Sequence, residues 1–110
     1  MSENNPNQEA TLPSLIAFFK IIAEPNRLKI LELLQHNSLT VTQIQQQLDI
    51  PINLTSFHLR PLKKFGLISS KKRGLQVIYS LEESRVCSFR TLLNTFLCER
   101  CEMEGKNVVC

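Results

Sequence analysis

The hydrophobic pattern of the chain changes its period at Gly66, and this change constrains the fold more than any other feature. Upstream, apolar residues recur at the spacing of amphipathic helices. Downstream, two short runs flank Arg73-Gly74, which predicts a β-hairpin. A capping box from Thr40 to Gln43 and a short turn at 49–53 separate the last two upstream helices. Two helices joined by a short turn and followed by a hairpin are typical of a winged helix-turn-helix.

The fold class we predict is mostly α-helical with one small β-hairpin, the wing. Thr11 and Pro13 start the first helix, Glu24-Pro25 the second, and Ser84 caps the last. The second helix is expected to turn Leu28, Leu31 and Leu34 toward the core, with Ile30 beside them. The predicted helices span 11–22, 25–34, 40–48, 54–65 and 84 to about 101 or 104, and the strands span 67–72 and 76–81.

One domain is expected over residues 11–104, between a disordered tail at 1–10 and a C-terminal tail at 105–110. No apolar run approaches the ~20 residues of a membrane span. The N-terminus lacks the pattern of a signal peptide. We therefore expect a cytoplasmic protein that makes no membrane contact and keeps its four cysteines reduced.

Charge is distributed unevenly along the chain. Between Ile50 and Leu81 there is no acidic residue, whereas six Lys and Arg side chains fall in this stretch. An acid-free basic segment attracts a polyanion, although a solvated cationic face is the alternative. The cations are Arg60, Lys63, Lys64, Lys71, Lys72 and Arg73.

Four blocks of sequence together resemble the ArsR/SmtB family of metal-sensing repressors. They read IIAEPNRLKILELL, LTVTQIQQQLDI, SFHLRPLKKFGLI and KKRGLQVIYSL, and they extend from about Ile21 to Leu81. The resemblance implies a homodimer formed through the first and last helices. It also implies binding to a two-fold symmetric operator without any cofactor, and release when an inducer binds.

The sequence departs from the family pattern in three places. The start of the third helix, where the best-known sensing site has cysteines, reads Leu39-Thr40-Val41-Thr42-Gln43-Ile44. The last helix has neither the Asp nor the His of a second common site. Pro61 falls inside the predicted recognition helix, where it removes one backbone hydrogen bond and should bend the helix.

The fourth helix separates into two faces when it is projected at its helical period. Thr55, Leu59 and Leu62 form the expected core stripe, with His58 and Phe65 at its edge. His58 is therefore expected to be a buried or hydrogen-bonded histidine, and His36 a loop residue. The opposite face offers amide, hydroxyl, aromatic and cationic groups, which suit base edges in the major groove. Its members are Asn53, Ser56, Phe57, Arg60 and Lys64.

Two further sets of cations complete the predicted DNA contacts. Lys63 lies beside the reading face of the fourth helix and would contact phosphate. Lys71, Lys72 and Arg73 lead into the tip of the wing, where they suit phosphate or the minor groove.

The cysteines cluster toward the C-terminus, away from the apolar stripe of the last helix. That stripe consists of Val86, Phe89, Leu93, Phe96 and Leu97. Cys98 and Cys101 are three residues apart, so their thiolates can share one ion, and Cys110 can fold back as a third sulfur. Cys87 lies ~16 Å from Cys98 along a helix and could join only from the partner protomer.

Three sulfurs without imidazole or carboxylate form a soft site. Trivalent arsenic or antimony is the first-ranked inducer, and cadmium, zinc and copper(I) are the alternatives. A second interpretation is thiol redox or persulfide sensing by Cys98, Cys101 and Cys110. A third is a regulator with no cysteine site. An enzyme is not expected, because no phosphate-binding loop, nucleophile elbow or zinc-protease motif is found. A protein-interaction module stays open.

Overall fold

The computed structural model describes residues 11–97, which fold into five helices and a small three-stranded antiparallel sheet. The strand order in that sheet is β1-β3-β2. The helices are α1 (Leu12–Ile22), α2 (Pro25–Leu34), α3 (Val41–Leu48), α4 (Ile52–Lys64) and α5 (Glu83–Leu97), and the strands are β1 (Leu39–Thr40), β2 (Ile68–Arg73) and β3 (Gln76–Leu81). The predicted fold class, a winged helix-turn-helix, agrees with this architecture.

The first helices begin at the residues that the sequence predicts. The Thr11 side chain accepts a hydrogen bond from the Ser14 backbone N–H, and Glu24 accepts one from the Arg27 N–H. Pro25 occupies the first turn of α2, where its missing N–H has no intrahelical acceptor to lose. Thr40 and Gln43 form the predicted capping box at the start of α3.

The recognition helix begins two residues earlier than predicted, at Ile52 instead of Leu54. Pro51 is its N-cap, and the Pro51 carbonyl accepts from both the backbone N–H and the hydroxyl of Thr55. The turn before it is tight because the Asp49 backbone lies in the left-handed region, with a φ of 58°. The Gln45 side-chain amide also donates a hydrogen bond to the Ile50 carbonyl. The polar residue Asn53, taken from the sequence as turn, is therefore helical.

Gly66 ends α4 as predicted, with a φ of +88° that favours glycine. The Leu67 N–H donates to the Leu62 carbonyl and the Gly66 N–H to the Lys63 carbonyl, which is the Schellman pattern. The chain then enters the wing. There, β2 and β3 pair from Ile68 with Leu81 to Arg73 with Gln76. The predicted hairpin is confirmed, although β2 begins one residue later and ends one residue later.

Two elements differ from the sequence prediction at their ends. The sequence missed β1, which is only two residues long and pairs Leu39 with Tyr79. The last helix begins at Glu83, so Ser84 lies in its first turn and is not the cap. The Glu82 carbonyl accepts from the Val86 N–H, which closes the first turn two residues earlier than a Ser84 cap would allow.

The core joins every helix to the base of the wing. Phe89 of α5 stacks on Phe18 of α1, with ring centroids 4.5 Å apart, and on Phe65 at the end of α4. The buried apolar residues are Leu15, Ile30, Leu34, Ile44, Leu59, Leu62, Leu67, Ile68 and Phe89. The expectation for Leu28 is wrong. Its side chain is 53% exposed, because Ile30 and Leu34, four residues apart, define the inner face of α2.

Candidate nucleic-acid interface

The inner face of α4 fixes the helix against the body of the protein. Thr55, His58, Leu59 and Leu62 are buried, as their helical spacing predicts. Burial of this stripe leaves the opposite side of the same helix turned outward, since residues three and four apart share a face.

The outward face of α4 carries the residues that the sequence predicts for base reading. Asn53, Phe57, Arg60 and Lys64 are exposed, and Ser56 is half-buried. Phe57 is 51% exposed, although its ring makes an edge contact with His58. The Asn53 amide oxygen accepts from the Leu54 backbone N–H. The structure thus places these side chains on one surface, and their contact with DNA stays a prediction.

His58 is a buried hydrogen-bonding residue, as expected, and it ties α4 to the start of α2. Its Nδ1 lies 3.4 Å from Arg27 Nε, which donates to it, and 3.6 Å from a Glu24 carboxylate oxygen. Its Nε2 lies 3.5 Å from the Asn26 side-chain nitrogen. A network of this kind restrains a helix more strongly than apolar packing alone, because each bond has a preferred direction. His36 is an exposed residue after α2, also as expected.

Pro61 lies inside α4 and the helix continues past it to Lys64. Proline has no N–H, so residue 61 donates no helical bond to the Phe57 carbonyl. The Pro61 carbonyl still accepts from the Phe65 N–H. A bend of the helix at this position stays a prediction. Lys63 and Lys64 lie in the last turn, where cations interact favourably with the helix dipole.

The wing presents three exposed cations at the end of β2. In the pairing of β2 with β3, Ile78 lies opposite Lys71, Val77 opposite Lys72 and Gln76 opposite Arg73. Side chains alternate along a strand, so Lys71 and Arg73 share one face and Lys72 takes the other. A cationic tip of this form suits phosphate or the minor groove, and its contact with DNA stays a prediction.

The cysteine site of the sequence prediction is only partly within the described chain. Cys87 is a free, exposed thiol on α5, beside a shallow pocket that Gln35, His36 and Glu83 also line. Between residues 11 and 97, no group of three His, Cys, Asp or Glu side chains could hold a metal ion. Cys98, Cys101 and Cys110 lie outside the described residues.

Exposed apolar side chains also occur on the first and last helices. On α1 they are Leu12, Ile16 and Phe19, and at the end of α5 they are Phe96 and Leu97. Phe96 and Leu97 belong to the predicted stripe of the last helix, whose earlier member Phe89 is buried. Contiguous exposed apolar side chains mark interaction sites more often than isolated ones do. None of the helices between residues 11 and 97 is long and apolar enough to cross a membrane.

Comparison with known sequences identifies the same region. A family model described as bacterial regulatory protein, arsR family, matches residues 24–70, which hold α2, α3, α4 and the start of the wing. The cadmium resistance transcriptional regulatory protein CadC of Listeria innocua is 38% identical over 81 residues. That alignment covers 73% of this chain and 68% of CadC.

Other relatives include both a repressor and an activator by name. The transcriptional repressor PagR of Bacillus anthracis is 38% identical over 76 residues, 68% of this chain and 76% of PagR. The transcriptional activator HlyU of Vibrio cholerae is 28% identical over 96 residues, 87% of this chain and 89% of HlyU. The solved structure of that HlyU superposes with a TM-score of 0.64 at 27% identity, over 89% of this chain and 99% of HlyU.

These relatives and the matched family are regulators of transcription, in agreement with the prediction that the chain is not an enzyme. The exposed face of α4 and the start of the wing both fall within the matched residues 24–70. The chain belongs to the ArsR family of bacterial transcriptional regulators.

Proposed function

We propose that this protein is a repressor that binds a two-fold symmetric operator as a homodimer and leaves it when a soft metal or metalloid binds its C-terminal cysteines. The single observation that carries the DNA-binding part is the exposed face of α4. It combines a half-exposed Phe57 with Asn53 and Arg60 in a segment without any acidic residue. A regulator of this kind acts where the DNA is, which supports the cytoplasmic location.

Each side chain of the reading face has a role that follows from its chemistry. Arg60 can donate two parallel bonds to guanine, Asn53 can pair with adenine, and Phe57 can pack on a thymine methyl. Ser56 can donate or accept at either base. Lys63, Lys64 and the wing cations Lys71, Lys72 and Arg73 are assigned to phosphates.

The dimer we propose uses the exposed apolar residues of α1 and α5. Ile16 and Phe19 on α1 and Phe96 on α5 are exposed in one chain, and a second copy would bury them. A two-fold dimer presents two copies of α4 to successive major grooves ~34 Å apart. Pairing through α1 and α5 would leave both copies of α4 free to face the DNA.

DNA binding is tested by measuring affinity for the protein's own promoter fragment over a range of salt concentrations. Arg60→Gln should weaken specific binding by about 1–3 kcal/mol at each half-site, roughly fivefold to 150-fold per half-site. Lys29→Gln is the matched control, because Lys29 is an exposed cation on α2 that pairs with Glu32. The proposal would be contradicted if the wild-type protein and both variants bound the promoter no more tightly than unrelated DNA.

The inducer site is proposed from the spacing of Cys98, Cys101 and Cys110. Three thiolates suit the pyramidal coordination of trivalent arsenic or antimony, which we rank first. The name of the relative CadC refers to cadmium resistance, which supports cadmium as the leading alternative, ahead of zinc and copper(I). Cadmium or zinc would need a fourth ligand, for which Cys87 of the partner subunit is a candidate.

Release would follow from a change in the dimer. A ligand bound next to the end of α5 alters the helix that we assign to the dimer interface, and so alters the distance between the two copies of α4. A coupling free energy of about 1–3 kcal/mol is usual for allostery and weakens DNA binding fivefold to 150-fold.

The inducer is tested by titrating the reduced protein on promoter DNA with arsenite, cadmium, zinc or copper(I) separately. Cys98→Ser with Cys101→Ser should leave DNA binding intact and abolish release. Cys87→Ser is the matched control in the arsenite titration, since this exposed thiol lies outside the proposed three-sulfur set. Loss of DNA binding in the double variant would show that the cysteines are structural.

Thiol oxidation is the second candidate signal. The Cys98-x-x-Cys101 spacing allows a disulfide, and one solved structure of the HlyU relative is titled as the reduced protein. Peroxide should then release the DNA, and excess dithiol should restore binding. Release by peroxide and by none of the metals would replace the metalloid proposal with this one.

A further inference from the structure

An open groove runs along one flank of the reading face, between α4 and the start of α2. Its volume is about 330 Å³, and its walls are mostly apolar. The lining residues are Arg27, Phe57, Arg60, Pro61 and Lys64. Four of these belong to α4, whereas Arg27 comes from α2 and was not among the residues that the sequence assigned to DNA binding.

The guanidinium of Arg27 is held in place by two hydrogen bonds. Its Nε donates to His58 Nδ1 at 3.4 Å, and its Nη1 donates to the Ile21 carbonyl at 3.3 Å. Neither bond uses Nη2 or the second hydrogen of Nη1. A cation that is already fixed loses less conformational entropy when it binds an anion than a free side chain does.

Among residues 11–97 no carboxylate lines this groove, and the charged residues that do line it are all cations. Glu24, just before α2, accepts a hydrogen bond from the Arg27 backbone N–H, and its carboxylate oxygen lies 3.6 Å from His58 Nδ1. Arg27, Arg60 and Lys64 therefore present positive charge around an apolar floor made by Phe57 and Pro61. That combination suits a ligand with an anionic group next to an apolar surface.

The DNA backbone has this chemistry, because each phosphate is flanked by a deoxyribose whose carbons are apolar. The groove is also continuous with the reading face, since Phe57, Arg60 and Lys64 belong to both. Any duplex that places base edges against Asn53 and Arg60 brings its backbone along the flank of α4.

We propose that Arg27 holds a backbone phosphate of the operator, with the adjoining deoxyribose packed on Phe57 and Pro61. This inference rests on the proposed DNA-binding function and adds a contact from outside the helix-turn-helix and the wing. The contact would fix α4 in the groove from one side, and His58 acts as the positioning residue for it.

The test is the salt dependence of operator binding by Arg27→Gln. The substitution removes one phosphate contact from each protomer, so the dimer should lose about 1.8 from the magnitude of the log–log salt slope, which corresponds to about 30-fold weaker binding at 0.15 M salt. Arg27→Lys, which keeps the charge, should keep the slope. Lys29→Gln removes a cation from the same helix outside the groove and should also leave the slope unchanged.

A neutral-backbone scan locates the contact. Replacing one phosphate at a time by a methylphosphonate should reveal a position at which the wild-type protein loses affinity and Arg27→Gln loses nothing further. A partly unfolded variant has a smaller active fraction but an unchanged slope, so a folding defect is distinguishable from a lost contact.

An unchanged slope for Arg27→Gln, or identical scans for the two proteins, would overturn this inference while the proposed function stands. An equal drop in slope for Lys29→Gln would also overturn it, because the effect would then be one of net charge. Absence of any salt-dependent binding by the wild-type protein would overturn the proposed function, and this inference with it.

Discussion

At the scale of single residues, Phe57 has both an exposed surface and a contact with a buried side chain. It is about half exposed on a polar helix face, and it contacts the buried His58 at its edge. Phe57→Ala should change the free energy of unfolding by less than about 0.5 kcal/mol, because it removes mainly exposed surface. It should weaken operator binding by about 1 kcal/mol, roughly fivefold, if the ring packs on a thymine methyl.

Urea unfolding and operator titration check this prediction together. Leu28→Ala is the control, since Leu28 is exposed to a similar extent on α2 and lines no part of the groove. A stability loss in Phe57→Ala with normal DNA affinity would assign the ring to packing instead.

His58 should matter for stability, whereas His36 should not. His58→Ala removes a buried side chain and leaves Arg27 Nε without its acceptor, which should cost about 1–3 kcal/mol of unfolding free energy. His36→Ala, at an exposed position, should change it by less than about 0.5 kcal/mol. Equal effects of the two substitutions in urea unfolding would contradict the network described for His58.

Residue roles were predictable from the sequence where a helical period decides them. The buried set Thr55, Leu59 and Leu62 follows from spacing within α4 alone. Arg27 was missed because its partner His58 lies 31 residues away, and a period within one helix carries no information about a contact with another. The only sequence feature that pointed to Arg27 was its place in one of the four blocks that resemble the ArsR/SmtB family.

At the scale of elements, the end of α4 depends on Gly66. Its φ of +88° is in the left-handed region, and a Cβ there would meet Arg85 Nε at an ordinary 3.5 Å. Gly66→Ala should therefore be destabilising through the backbone, by about 1–2 kcal/mol. Gly66→Asn should retain part of this stability, because asparagine tolerates the left-handed region. Thermal unfolding of both variants checks the prediction, and an equal loss in each would point to a steric cause.

Element ends were predictable where a cap or a glycine fixes them. The Thr40 capping box gave the correct start of α3, and Gly66 marked the end of α4. The start of α4 was placed two residues late because Asn53 favours turns, yet the Pro51 carbonyl closes a helical turn with Thr55. Strand β1 is set by pairing with β3, a long-range contact that two residues cannot signal.

At the scale of the whole molecule, the proposed dimer makes a prediction about association. Ile16→Glu places a charge in the exposed apolar face of α1 and should shift the protein to monomers and weaken operator binding by tenfold or more. Leu28→Glu changes an equally exposed leucine on α2 and should stay dimeric. Sedimentation equilibrium measures both, and a dimeric Ile16→Glu protein with normal DNA binding would contradict this interface.

The fold class, the exposed face of α4 and the family were predictable from the sequence, because they depend mainly on local patterns between residues 21 and 81. The contact of this face with DNA stays a prediction. The inducer and the ligand set of Cys98, Cys101 and Cys110 depend instead on how a tail approaches a helix or a second subunit. No periodicity within one chain encodes such an approach, so cysteine spacing restricts the chemistry to soft ligands and redox reactions without choosing between them.

The central claim is that α4 of a dimer reads a symmetric operator. Hydroxyl-radical footprinting of the reduced protein on its own promoter tests it most directly. We predict two protected half-sites on one face of the DNA, about 10 base pairs or a multiple of that apart, centred on a symmetric sequence and lost in Arg60→Gln. A single protected site, protection without symmetry, or an unchanged footprint in Arg60→Gln would contradict the account.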